Sequence, residues 1–328
     1  MALLRDMGRT LGKWTGRPAT RLRKDSGDPD VAQARAAAAA ADWATVRGLF
    51  EAHPEGGNRT ELLWAVADTA GVERWIVQAV EAEPEAALPR VLAGFRHITW
   101  GWEARTGALA KHVSREQFDL FHGRLRLAEQ WFYEAAEREP QWSSPWYGLQ
   151  ITGRGLQVGP TLALRRFEAA VRRAPHHLGA HSQQLQQVCK KWGGSDEQMH
   201  AFARESAAAA PGGSALGMLV PDAHLEQWLM LDSGADGRYM GRPEVSASLH
   251  EAAAHSFRHP DFERMASPYQ RIQVFNSFAM AFSLAGERSA ARECFEATDG
   301  NVTESPWQYL NGSDPVAAYR KHRSASGR

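Results

Sequence analysis

The sequence predicts an all-α chain, a solenoid of about seven stacked helical hairpins, and three observations carry that expectation. The block Ala128-Phe132-Ala135-Pro140 recurs as Ala163-Phe167-Ala170-Pro175, with the same steps of four, three and five residues and an offset of 35 (167 − 132). Helix-starting and helix-stopping residues punctuate the chain throughout. No stretch alternates apolar and polar residues as a half-buried strand would. A period in the thirties marks paired helices, because a single pair cannot bury its apolar stripe and must stack on a neighbour. A third pass is degraded but in phase: Phe202 follows Phe167 by 35 (202 − 167), Glu205 replaces the small residue, and the proline arrives one late, at Pro211.

Length and composition narrow the function classes. With 328 residues, 43% of them hydrophobic, the chain buries a large core, and stacked repeats do so without dividing into domains. The formal charge is zero, so the electrostatic footprint of a nucleic-acid binder is missing. Two cysteines, Cys189 and Cys294, lie far apart, which argues against a secreted disulfide framework. No apolar run reaches the roughly 18 residues of a membrane span, and no signal-peptide core is visible. A soluble, cytoplasmic protein is expected.

Three segments are expected: residues 1–28 as a flexible basic arm, 29–310 as the helical-repeat domain, and 311–328 as a short helix with a polar tail. In the arm, Leu3, Leu4, Met7, Leu11 and Trp14 fall at helical spacing among basic residues, a pattern that could rest on anionic lipid. Gly8, Gly12, Gly16 and Pro18 weaken such a helix, and a mobile arm is the preferred reading. Asp28-Pro29 starts the first helix, Asp42 caps a second through Phe50, and Thr60 begins a third that ends near Gly71. The next, Val72-Ile76-Ala79-Pro84, repeats the four-three-five spacing with aliphatic residues. Two long helices follow, about 86–105 and 115–138, the second opened by a Ser114/Gln117 capping box.

Ser144-Pro145 starts the helix that carries Trp146, Tyr147 and Leu149, and Gly159-Pro160 turns the chain into the Phe167 helix. Leu178 to Lys191 is the next helix, and Ser195 with Gln198 reads as another capping box after Gly193-Gly194. Further helices are expected near 215–231, 243–257 and 269–285. Gly286, Ala291 and Phe295 then restore the repeat, and Asp314-Pro315 opens a last short helix. This makes about fourteen helices in about seven hairpins.

A small residue, an aromatic four on, a small residue three on and a proline five on, with glycine at the inter-helix turn, resemble the tetratricopeptide repeat. In the first helices the small residue that permits close packing is mostly absent, which implies hairpins longer or differently tilted than the standard. The string Arg154-Gly155-Leu156-Gln157, then His177 to His181, Lys190 to Ser195 and Phe202-Ala203-Arg204, resembles an uncharacterised bacterial domain family of tetratricopeptide-like architecture. That likeness runs from about Ala32 to Trp307 and implies a fold but no activity.

In such stacks the first helix of each hairpin lines the concave face. Trp100, Arg105, Tyr147, Arg154, His181, Gln184 and Gln187 are therefore expected along a ligand-binding groove, where aromatic and arginine side chains suit a peptide or an acidic group. The competing reading is that they only bridge adjacent hairpins. Gly153 and Gly155, flanking Arg154, mark either close hairpin packing or backbone approach to a ligand. Trp43, Trp64, Trp75, Trp131 and Trp228 occupy stripe positions and are expected to fill the core.

His177 and His181 share a helix face, and Glu197 with His200 stands on the partner helix, so these four are the candidate metal ligands. Two-metal bundle sites need two Glu-x-x-His pairs and further glutamates, and only one pair occurs, so no metal or other cofactor is expected. His224, and the set His250, His255 and His259, read more simply as packing or solvent-facing residues. There is no nucleophile elbow, no phosphate-cradling glycine loop and no His-Glu-x-x-His helix. The leading expectation is a non-enzymatic scaffold that binds a peptide or protein segment. The alternative is an enzyme or small-molecule binder with His181, Arg154, His224 and Glu226 around a pocket inside the stack.

Overall fold

Helices begin where the sequence supplies caps. Asp28 accepts from the backbone N–H groups of Asp30 and Val31 and opens α1 (Pro29–Ala39), while Asp42 accepts from Thr45 N and opens α2 (Trp43–Ala52). The computed structural model describes residues 20–105, 113–232 and 235–327, and apart from one pair of two-residue strands the regular structure of the described chain is helical. The series continues with α3 (Thr60–Ala67), α4 (Val72–Ala82), α5 (Leu88–Arg105), α6 (Arg115–Arg138), α7 (Ser144–Gly155), α8 (Pro160–Arg173) and α9 (Leu178–Gln187). It ends with α10 (Asp196–Ala209), α11 (Leu219–Leu229), α12 (Ala235–Met240), α13 (Pro243–His255), α14 (Phe262–Met265), α15 (Pro268–Ala285), α16 (Arg288–Ala297) and α17 (Pro315–Ser326).

The expected count of about fourteen is short because α12 and α14 have only six and four residues, too few to show a helical period. Helix α9 stops at Gln187 instead of Lys191, and Lys190–Trp192 forms a 3-10 turn. At Ser195 only half of the expected box is formed, with Gln198 N donating to Ser195 Oγ. Complete boxes stand at Ser114/Gln117 and at Ser267/Gln270, the second of which sequence reading missed.

Burial separates two kinds of helix. Helix α7 buries ten of its twelve residues, whereas α8 buries four of fourteen. The same contrast holds between α3, with seven of eight buried, and α4, with four of eleven. Helices α3, α5, α7, α9, α11 and α15 form a contiguous row in which each touches the next, and they are covered on their outer side by α4, α6, α8, α10, α13 and α16. A helix buried on most of its circumference has lost its amphipathic stripe, as the inner row has.

Glycines set the spacing between the layers. The fully buried ring of Phe132 in α6 lies between Gly94 of α5 and Gly148 of α7, and a Cβ on Gly94 would come 2.5 Å from it. One step along α6, Phe121 and Leu125 meet Gly101 and Gly155 in the same way. The first helices therefore do carry small contact residues, at a register the sequence reading did not test. Gly155 packs on Leu125, and Gly153 faces Arg166 and Val158, so hairpin packing accounts for both glycines. The five stripe tryptophans, Trp43, Trp64, Trp75, Trp131 and Trp228, are half-buried against the cores, and the fully buried tryptophan is Trp307.

The apolar core comes in two clusters that meet at α9, one drawn from α1 to α9 and the other from α9 to α17. The two ends of the described chain are joined. β1 (Arg21–Leu22) pairs in parallel with β2 (Asn301–Val302), and Arg320 Nη2 donates to Thr20 O at 2.9 Å. Residues 20–28 of the expected arm are thus packed on the C-terminal segment. The amphipathic pattern from Leu3 to Trp14 lies outside the described residues, as do residues 106–112. Among the described residues no helix is long and apolar enough to cross a membrane.

Candidate binding site on the inner helices

Between the two apolar clusters runs a seam of polar side chains supplied by the inner row. On α3, Glu61 is buried and its Oε2 has no hydrogen-bond partner. Loss of water around the carboxyl pushes its pKa up to about 8, against a smaller opposing effect from hydrogen bonding, including to Gln270 of α15. One turn on, Trp64 Nε1 donates to Tyr147 OH on α7 at 2.9 Å. The Tyr147 ring is buried, 5.6 Å from Phe95 and 4.9 Å from His177 between centroids.

Two turns further along α7 stands Arg154. Its guanidinium lies 5.7 Å from the Trp192 ring centroid, and it forms no hydrogen bond or ion pair among the described residues. Burial pulls its pKa down, opposed by weaker attraction to Tyr147, Cys189 and Glu226. Arg154 is half-buried, so its guanidinium keeps part of its hydration and has room to take an anion.

Facing Arg154 from α11, Glu226 is already satisfied. It accepts from Gln186 Nε2 at 2.7 Å, Lys191 Nζ at 2.7 Å and Tyr309 OH at 2.8 Å. One turn earlier Asp222 accepts from Ser277 Oγ of α15 at 2.7 Å. Burial pushes the Asp222 pKa up to about 7, with the neighbouring Glu226 adding to the rise. The seam therefore holds two carboxyls raised toward neutrality, one carboxylate bound by three donors, and one arginine without an anion.

Of the residues expected in a groove, Tyr147 and Arg154 lie on this seam. Trp100 does not: its ring sits beside His97 at the far end of α5, with the Arg124 guanidinium 3.3 Å from its centroid. Arg105 lies over Trp102 and Phe118 and bridges α5 to α6. His181 is turned toward α8 and α10, between the rings of Phe167 at 5.2 Å and Phe202 at 6.1 Å, with Nδ1 bonded to His177 O. Gln184 shares that side of α9, and it is Gln186, neighbour of the expected Gln187, that reaches Glu226.

The metal candidates do not converge. His177 Nδ1 accepts from Ala180 N and its Nε2 is 3.3 Å from Thr60 Oγ1, so it caps α9 and ties it to α3. His200 Nε2 donates to Gln227 Oε1 at 2.7 Å, and Glu197 is exposed in the first turn of α10. Among the described residues no three His, Cys, Asp or Glu side chains are grouped so as to hold an ion. His224 faces away from Arg154, with Nδ1 bonded to Tyr239 OH and Nε2 to Ser248 Oγ. Burial lowers its pKa to about 3.

Glu61, Asp222, Gln186, Trp192 and Tyr309 escaped the sequence reading. A signal was present for two of them: Glu61 precedes Leu62-Leu63, and Asp222 follows Leu219-Val220-Pro221, so each carboxylate sits in a helix otherwise apolar on most faces. No family model matches the chain, and no curated protein matches it in sequence.

Proposed function

We propose that the chain is a non-enzymatic helical-repeat scaffold of tetratricopeptide-like architecture whose inner helices bind a peptide or protein segment through a carboxylate taken up by Arg154. The observation that carries this reading is the Arg154 guanidinium, half-buried and without an ion-pair partner among the described residues, next to the exposed Trp192 ring. Arginine offers a carboxylate two parallel N–H groups, and an adjacent indole supplies contact area at low ordering cost. The alternating inner and outer helices, and the glycine contacts that hold them close, support a stacked-hairpin arrangement. The enzyme or small-molecule alternative loses two of its four residues: His224 has both ring nitrogens bonded and His181 is held between phenylalanine rings.

The test is selection from a display library of short peptides, presented with free and with amidated C-termini, against wild type and Arg154→Ala. Enrichment of carboxylate-bearing peptides by wild type, lost in Arg154→Ala, is the expected result. Identical selections by the two proteins would overturn the reading.

A further inference from the structure

Where α1, α3 and the start of α15 meet, a pocket of about 270 Å³ opens, lined by three acidic side chains, Asp28, Asp30 and Glu61, over apolar walls that include Val31, Leu62 and Pro268. No lysine or arginine lines it. Arg59, the arginine nearest in sequence to Glu61, is committed elsewhere, to His53 O, Phe50 O and Glu55 Oε2. The basic side chain in the lining is His53, whose Nε2 lies 3.3 Å from Asp30 Oδ2. Asp28 Oδ1 accepts from Asp30 N and Val31 N at the start of α1.

Glu61 separates this pocket from an ordinary acidic patch. It is 7% exposed, it lines the pocket, and its Oε2 has no hydrogen-bond partner. A buried acceptor left unpaired costs the full desolvation of that group, so an incoming donor is favoured there. Among the described residues no three acidic or histidine side chains converge on a point, which disfavours a bare metal ion. The walls beside the carboxylates are aliphatic, which suits a ligand with a charged head and a short apolar stem.

We propose that this pocket binds a primary alkylammonium group. Its three N–H donors satisfy Glu61 and the rim carboxylates, and its stem lies on Val31, Leu62 and Pro268. The same chemistry is offered by a free aliphatic diamine and by a lysine side chain. The reading stands on different residues from the Arg154 site and does not depend on it.

Isothermal titration of the full chain with cadaverine and, separately, with N-acetyl-lysine methylamide tests the proposal, with 1,5-pentanediol as the uncharged control. Wild type is expected to bind at least one amine saturably, and the tighter of the two identifies the source. Glu61→Gln keeps shape and removes the carboxyl that would give up its proton to receive the ammonium; it is expected to weaken binding by about tenfold or more without lowering the thermal midpoint. Asp30→Asn, at the exposed rim, gives a second reading that does not touch the core. Failure of both amines to bind, pentanediol binding as well as cadaverine, or wild-type affinity in both variants would overturn it.

Discussion

Gly148→Ala is the sharpest test of the layer spacing. The Phe132 ring is fully buried and pinned on one side by Gly148 and on the other by Gly94. A Cβ on Gly148 would fall inside the ring's van der Waals surface, closer than the 2.5 Å met by a Cβ on Gly94, so the ring cannot retreat toward α5. Overpacking of this kind costs about 1–3 kcal/mol or more, and replacing a helical glycine returns about 1 kcal/mol. The net expectation is a loss of about 2 kcal/mol. Gly123, also within a helix, has nothing within 4 Å of its would-be Cβ, and Gly123→Ala is expected to gain about 0.5–1 kcal/mol. Urea unfolding followed by helical circular dichroism measures both, and the two midpoints should move in opposite directions. Phe132→Leu in the Gly148→Ala background should recover part of the loss, since a leucine leaves room that the flat ring does not. A Gly148→Ala protein as stable as wild type would refute the idea that glycines set the distance between the inner and outer helices.

Glu61→Gln should also change how stability depends on pH. The folded-state pKa is raised from 4.5 to about 8, so the native chain holds a proton that the unfolded chain releases, and the wild type loses stability as pH rises between those values. The interval (8 − 4.5) sets a ceiling of about 5 kcal/mol, with the variant the more stable at pH 8 and the two proteins level near pH 4; equal denaturation midpoints at pH 8 would show that Glu61 is not buried as described. Glu55→Ala removes the acceptor shared by Ser143 Oγ, Ser144 N and Ser144 Oγ, and the ion pair with Arg59 Nη1 at 3.0 Å. It should cost about 2–3 kcal/mol and lower the thermal midpoint, an effect that Glu55→Gln should partly spare.

How much was legible in the sequence depended on whether a rule was local. Caps at Asp28, Asp42 and Ser114, and the long helices around Phe95 and Phe132, follow from nearest-neighbour chemistry and were readable. Helices α12 and α14 were not, because fewer than two turns carry no period. The polar seam was half legible. Tyr147 and Arg154 share a face seven residues apart, which two helical turns bring together. On α9 the inner face could not be chosen from the sequence: Gln183, Gln184, Gln186 and Gln187 offer polar residues all round, so nothing marks the phase. The convergence of Glu61 with Gln270, and of Glu226 with Tyr309, joins residues far apart in the chain. Such pairings come from the stacking path of the inner row, and no local pattern encodes them.

The seam itself bears on why the chain keeps two apolar clusters where one fused core would be more stable. Replacing Glu61, Asp222 and Glu226 with leucine-like side chains would remove desolvated polar groups and let the clusters merge across α9, and buried polar groups exchanged for well-packed apolar ones often leave a protein more stable. Glu226 escapes that argument, since three donors satisfy it and it ties Gln186, Lys191 and Tyr309 together. Arg154 and Glu61 do not escape it: one is a cation without an anion among the described residues, the other has an acceptor atom without a donor. Departures from good packing that bring no structural return concentrate where a chain meets something else. The two groups, one basic and one acidic, lie on different inner helices, α7 and α3. The two proposed ligands are therefore separate, an acidic one at Arg154 and a basic one at Glu61, and each proposal is tested by a single substitution on its own helix.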